Sequence, residues 1–180
     1  MEEPSIEICA MALISQISSE QPSETSSEAD KAAFISLYYI FKDTFLLALD
    51  LLDQRRIVLY TWDEKSTDSS TTCSSHIFYV SSEASELHET PCKRYEVRTS
   101  VWYCSCPEFS FSAFNKDYHI AWKKAINPNR YWGGLIHGQP VPICKHLLAC
   151  TFVEQGKSWA RERITEKKIS KEELVLYATQ

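Results

Sequence analysis

The chain is 180 residues long, with 44% hydrophobic and 12% aromatic residues and a formal net charge of −5. This length and composition suit a single domain with an ordinary folded core. The small negative charge excludes a protein that binds polyanions through its net charge alone, although the part after Pro91 is mildly basic.

The cysteine content and the N-terminal sequence indicate a reducing compartment. The seven cysteines are an odd number, and Met1 is followed by two glutamates instead of the basic residues of a secretory signal. The most apolar segment, residues 34–52, carries Lys42, Asp43 and Asp50, so no membrane span and no membrane partner are predicted. In a reducing compartment a Cys/His cluster is more typical of a metal site than of a disulfide framework.

The N-terminal segment, residues 1–30, is acidic and is predicted to be partly flexible. It holds seven acidic residues and no lysine or arginine. Residues 6–17 predict a short helix, whereas residues 18–27 are rich in serine, glutamate and proline and predict a flexible connector. Residues 31–180 are then predicted to form a single α+β domain.

Residues 32–53 are predicted to form one helix at the start of this domain. The apolar residues that recur in it at helical spacing are Phe34, Leu37, Tyr38, Phe41, Phe45, Ala48 and Leu52. Ile35, Ile40 and Leu46 lie off this stripe, so the helix is expected to be covered on more than one side. A core helix explains the pattern, and a helix that docks a partner is the alternative.

The rest of the chain is predicted to contain three strands followed by three helical segments. The predicted strands are residues 57–62, 76–80 and 94–103. The predicted helical segments are residues 144–155, 159–165 and 171–178. Residues 63–75 are rich in serine, threonine and aspartate and predict a loop, and Gly156 is expected to end the first of the three helical segments.

Two short motifs carry the chemistry of the chain, Cys104-Ser-Cys106 and Cys144-Lys-His146. Three thiolates and one imidazole are a complete tetrahedral ligand set for one Zn²⁺, with no position left for water. The expected role of the metal is therefore structural and not catalytic. The order strand, first pair, second pair, helix predicts a ββα zinc finger over about residues 93–155, with its last two ligands near a helix N-terminus.

The two motifs resemble the SWIM zinc finger, written C-x-C-x(n)-C-x-H. Residues 103–109 and 144–149 carry the resemblance, and Ala149 stands where an extended form of the motif has an alanine. Residues 48–53, followed by a strand, resemble the upstream segment of one SWIM branch, the small SWIM subunits of the Shu complex. The fold class that follows is a small α+β domain with a SWIM-like zinc finger and an N-terminal helix.

The resemblance implies a non-enzymatic subunit that pairs with RecA-like recombinase paralogues. Such subunits promote recombinase filament assembly in homologous recombination and DNA damage tolerance, so we expect a nuclear protein that reaches single-stranded or forked DNA through its complex. The alternative is a SWIM module that itself binds nucleic acid, or an adaptor in transcription or ubiquitin transfer. A zinc hydrolase, a third hypothesis, requires an open position on the metal.

An insertion over residues 112–140 separates the two ligand pairs and is long for the spacer of the family. Basic residues alternate in it with aromatic ones, as in surfaces that bind single-stranded nucleic acid. The candidate contact residues for DNA or a partner are Lys116, Trp122, Lys123, Lys124, Arg130 and Trp132. An insertion that packs its aromatic residues on the finger and leaves its lysines in solvent explains the same pattern.

Two further patterns are set aside. Gly156-Lys157-Ser158 is similar to the end of a phosphate-binding loop, but a helix is predicted before it where a strand is needed, and the required upstream glycine is Thr151. ATP binding is therefore not expected. Cys144 and His146 are not read as a nucleophile and its base, because no orienting carboxylate or oxyanion site is identifiable.

Overall fold

The computed structural model describes residues 6–17, 28–65, 72–81, 93–114, 143–170 and 172–174. Its helices are α1 (Ile6–Gln16), α2 (Glu28–Phe41), α3 (Asp43–Asp53), α4 (Pro107–Phe114), α5 (Lys145–Glu154) and α6 (Ser158–Arg161). Its strands are β1 (Ile57–Lys65), β2 (Thr72–Ser81), β3 (Arg94–Arg98), β4 (Tyr103–Cys104) and β5 (Thr165–Lys168). The predicted α+β class is confirmed.

The five strands form one mixed sheet in the order β4-β3-β2-β1-β5. All neighbours are antiparallel except β1 and β5, which are parallel. Because side chains alternate between the two faces of a strand, the register sets Ile57 opposite Val80 and Phe78 opposite Val97 on one face. These four side chains are buried in the main core.

The core lies between this face of the sheet and the helices. Helix α5 packs against α3 and contacts β3 and β4, while α1 packs against α2. Phe152 of α5 lies at the centre, with ring centroids 6.1 Å from Phe45 and 5.4 Å from Trp159. Every residue of α5 from His146 to Val153 is buried. The helix that begins at the second Cys-x-His pair therefore forms much of the interior of the domain.

The single helix predicted over residues 32–53 is wrong, because the structure divides it into α2 and α3. The two helices bend by 120° at Lys42, which has φ 51° and ψ −130°. Phe34 and Phe45 would lie about 16 Å apart along a straight helix. The bend brings their ring centroids within 6.0 Å, so both pack in one core.

The expectation that this segment is covered on more than one side is also wrong for two of its residues. Ile35 is 56% exposed and Leu46 is 50% exposed. Ile40 does pack against the core. Among the described helices none is by itself long and apolar enough to cross a membrane, and α2 and α3 reach that length only together, across their bend.

The strand predicted over residues 94–103 is likewise two strands, β3 and β4. A turn joins them, in which Trp102 has φ 52° and its N–H bonds to the carbonyl of Thr99 at 3.1 Å. The turn lets Cys104 pair back with Val97, which places the first ligand pair beside the core. Val101 lies in this turn and is 52% exposed.

Two other predictions differ from the structure, and three more are not tested by it. The loop predicted over residues 63–75 is partly strand, because β1 continues to Lys65 and β2 begins at Thr72. The helical segment predicted over residues 159–165 is shorter and is followed by β5, whose residues are all exposed. The predicted connector at residues 18–27, most of the insertion, and the end of the C-terminal helical segment lie outside the described residues.

Helix α1 is fixed to the rest of the domain by a buried lysine. Lys157 is 4% exposed, and its Nζ donates to the carbonyls of Ser15, at 3.3 Å, and of Ile17 at the end of α1. Burial lowers the pKa of Lys157, and the nearby charge of Asp30 opposes that shift. A cation at the C-terminus of a helix also interacts favourably with the helix dipole. Part of the N-terminal acidic segment therefore belongs to the packed core.

Candidate metal centre

Cys104, Cys106, Cys144 and His146, the predicted ligands, come together at one point in the fold. Their ligating atoms all lie within 4.8 Å of one another, and all four residues are buried. The two residues of each pair are close in the sequence, but the two pairs are far apart in it, and the fold brings them together. No other such group of Cys, His, Asp and Glu occurs among the described residues.

Each ligand is placed by the end of a regular element. Cys104 is the last residue of β4, and Cys106 immediately precedes the first residue of α4, Pro107. Cys144 is the N-cap of α5, and His146 is in its first turn. Proline at the first position of a helix is favourable because its missing N–H has no helical partner there.

A backbone N–H group hydrogen-bonds one sulfur of the first ligand pair. The N–H of Phe109 in α4 donates to Sγ of Cys106 at 3.3 Å. A hydrogen bond of this kind stabilises the ionised form of a thiol, so the backbone here is arranged for a thiolate at Cys106.

The ionisation of the three thiols is coupled. The hydrogen bond between Cys104 and Cys106 raises the pKa of Cys104 and lowers the pKa of Cys106 below its ordinary value. Three sulfurs this close cannot all be ionised in a buried site without a cation to offset their repulsion. A divalent metal supplies that charge and binds the deprotonated form.

The geometry of the donors fits Zn²⁺. Tetrahedral coordination with ordinary Zn–S and Zn–N bond lengths places sulfur and nitrogen ligands about 3.6 Å apart. In the structure Nδ1 of His146 lies 3.8 Å from Sγ of Cys104. The other ring nitrogen, Nε2, is buried and has no hydrogen-bond partner among the described residues. Nδ1 is therefore the nitrogen that faces the sulfurs, and the donor set supports zinc binding.

Residues around the ligands complete the centre. The ring of Tyr95 on β3 lies 4.8 Å from the His146 imidazole, a contact that sequence reasoning missed. Its signal was its place on the predicted strand next to the finger. Ala149, the motif alanine, and Cys150 are both fully buried on α5. Burial raises the pKa of Cys150 well above its ordinary value, which is typical of an inert thiol.

The candidate contact residues of the insertion are not tested by this geometry. All six lie outside the described residues. They are Lys116, Trp122, Lys123, Lys124, Arg130 and Trp132. Of the predicted insertion, the structure describes its first residues, which form the end of α4. The metal centre itself is thus complete within the described residues.

Comparisons with known proteins identify relatives of the chain, although no family model matches it. It is 26% identical over 130 residues to zinc finger SWIM domain-containing protein sws1 of Schizosaccharomyces pombe. The aligned region covers 67% of the chain and 51% of that protein. It is 30% identical over 93 residues to zinc finger SWIM domain-containing protein 7 homolog of Dictyostelium discoideum. This aligned region covers 52% of the chain and 50% of that protein. The matches thus span about half the length of these relatives. The predicted resemblance to SWIM zinc finger proteins is confirmed.

Proposed function

We propose that the chain is a non-enzymatic SWIM zinc-finger subunit of a Shu-type complex. In this role it pairs with RecA-like recombinase paralogues in the nucleus and promotes recombinase filament assembly in homologous recombination and DNA damage tolerance. Single-stranded or forked DNA is reached through the complex. The observation that carries the proposal is the buried Cys₃His cluster in a chain similar to SWIM zinc finger proteins.

The chemistry of the cluster supports a structural role for one zinc ion per chain. Four protein ligands complete a tetrahedral shell, so the ion has no open position at which to activate water. What the metal supplies when bound is a cross-link between β4, the start of α4 and the start of α5. A cross-link of this kind stabilises the surface through which the domain binds another molecule, and it takes no part in a reaction.

The proposal is tested by purifying the tagged full chain from cells and identifying the proteins that co-purify with it. We expect a RecA-like subunit in stoichiometric amount and one zinc per chain by elemental analysis. Cys144→Ser is expected to lose zinc and partner together. Cys9→Ser, a change of the same residue type on α1 away from the cluster, is expected to keep both.

Two results would contradict the proposal. Tight binding of the RecA-like subunit by a zinc-free Cys144→Ser chain would show that the finger does not support the interaction. Binding of single-stranded DNA by the isolated chain, with affinity falling steeply as salt rises, would favour the alternative in which the SWIM module itself binds nucleic acid.

A further inference from the structure

Exposed apolar side chains are concentrated on helices α2 and α3. Of the eight large hydrophobic residues that are exposed in the described part of the chain, five lie on these two helices. They are Ile35, Tyr38 and Tyr39 on α2 and Leu46 and Leu47 on α3. We call these five residues the α2–α3 surface. Single exposed hydrophobic residues are ordinary, but such a concentration marks an interaction site.

The spacing of these residues places them on the outer side of each helix. Positions three and four apart lie on one face of a helix, and the α2 residues follow this spacing, as do Asp43, Leu46, Leu47 and Asp50 on α3. The inner side of α3 is occupied by buried residues that pack in the core. The stability of the domain therefore does not account for the outer leucines.

Acidic groups border the leucines. Asp43 lies one turn before them and Asp50 one turn after, and both aspartates are exposed. Neither forms an ion pair with another residue in the described part of the chain. On the α2 side the charge differs, because Nζ of Lys42 lies 5.0 Å from the centroid of the Tyr39 ring. The acidic border on α3 fits a surface of opposite charge, because complementary charges set the orientation of two proteins and suppress wrong partners.

We propose that the α2–α3 surface docks a partner protein through an apolar patch of that protein flanked by lysine or arginine. The inference rests on the proposed function in one respect, that the chain works within a protein complex. Aromatic residues and arginine are enriched where proteins meet, and Tyr38 and Tyr39 supply the aromatic part of this surface. The basic groups of the partner face Asp43 and Asp50.

Two other occupants fit the surface less well. Helices that lie on membranes carry lysine and arginine beside their apolar face, free to bind anionic headgroups. On α2, however, Lys31 pairs with Glu28 at 3.0 Å and Lys42 lies over the ring of Tyr39, and the border of α3 is acidic and repels such headgroups. A second copy of the chain that meets this one through α3 would oppose Asp43 and Asp50 with the same aspartates. Like charges across an interface are unfavourable.

The test uses the full zinc-loaded chain and the protein that co-purifies with it in stoichiometric amount, both purified. The Kd is measured for wild type, for Leu46→Ala combined with Leu47→Ala, and for Asp50→Lys. We expect the leucine variant to bind at least tenfold more weakly. Asp50→Lys is expected to weaken binding by an amount that shrinks as the salt concentration rises, because salt screens exposed charges.

Matched controls come from elsewhere on the surface. Phe111→Ala removes a side chain that is 77% exposed on α4, and Asp63→Lys reverses an exposed charge on β1. Both are expected to stay within twofold of wild type. Zinc content and thermal unfolding of every variant are measured as well, and we expect them to be unchanged, because all five positions are exposed.

Each other result overturns the inference. Equal losses in the leucine variant and Phe111→Ala, or none in either, would remove the α2–α3 surface as the docking site. The inference is also overturned if the leucine variant abolishes self-association of the isolated chain, or its binding to phosphatidylcholine–phosphatidylserine vesicles. It is overturned as well if no protein co-purifies in stoichiometric amount. The class of the partner decides the proposed function separately, since a partner that is not RecA-like but is lost with the leucines leaves the docking surface intact.

Discussion

Helices α5 and α3 pack against each other, but their surroundings differ. Helix α5 is buried on all sides from His146 to Val153, whereas α3 buries one side and exposes Leu46 and Leu47 on the other. Both helices are apolar, so composition does not separate them. The apolar residues of α5 therefore pack in the interior around the metal centre, whereas those on the outer side of α3 are exposed and can contact another molecule.

The largest expected effect comes from removing the metal that anchors α5. Cys106→Ser or a strong chelator is expected to release zinc and abolish cooperative unfolding, because zinc binding contributes about 10–16 kcal/mol in zinc-finger peptides. Circular dichroism with zinc analysis measures both. A zinc-free chain that still unfolds cooperatively at an unchanged temperature would show that α5 does not depend on the metal.

A smaller effect separates the two sides of α3. Leu52 is fully buried and Leu46 is half exposed, so the same substitution can be made on each side of one helix. Leu52→Ala is expected to lower the free energy of unfolding by about 2–5 kcal/mol, and Leu46→Ala to change it by less than about 0.5 kcal/mol. Urea denaturation measures both. Similar losses at the two positions would mean that the outer side of α3 is also part of the core.

A third effect concerns the lysine that follows α5. Lys157→Met keeps most of the side-chain volume but removes the hydrogen bonds to Ser15 and Ile17. Since hydrogen bonds to charged groups contribute about 1.5–3 kcal/mol, we expect a loss of that size and faster amide exchange in α1. Lys168→Met, at an exposed ion pair with Asp63, is the control and is expected to alter neither.

The smallest effect is expected at an exposed pair just beyond α5. The hydrogen bond from Arg161 lowers the pKa of Glu166 below its ordinary value. The stabilisation from this pair is therefore present above the ordinary carboxyl range and is lost as the pH falls through the lowered pKa. Arg161→Gln is expected to raise the Glu166 pKa in an NMR titration and to cost less than about 1 kcal/mol at neutral pH. An unchanged Glu166 pKa would contradict the contact.

The sequence predicted the metal centre better than the chain path around it. The ligands form two pairs, each with a spacing of two, so local sequence was enough to identify them. It also indicated that α5 begins at the second pair and ends near Gly156, whose φ is 71°. Tyr95 was not identified as a neighbour of His146, because its place on the strand beside the finger does not tell which residue of a distant helix it contacts.

The breaks in regular structure were not predictable from the sequence. Lys42 and Trp102 adopt positive φ values, although neither is glycine or asparagine, the residue types that ordinarily signal such a turn. Strand β5 reads Thr-Glu-Lys-Lys and is exposed throughout, so it shows none of the alternation by which strands are recognised. Its strand conformation comes from backbone pairing with β1.

The pairing of β5 with β1 also bears on the order in which the domain folds. Val58 pairs with Thr165, so the first strand of the sheet completes its hydrogen bonds with a segment that follows the metal ligands in the chain. Pairings between residues distant in sequence form slowly, because the intervening chain must first be brought together. During synthesis one edge of β1 therefore stays without this partner until the residues after the finger have emerged.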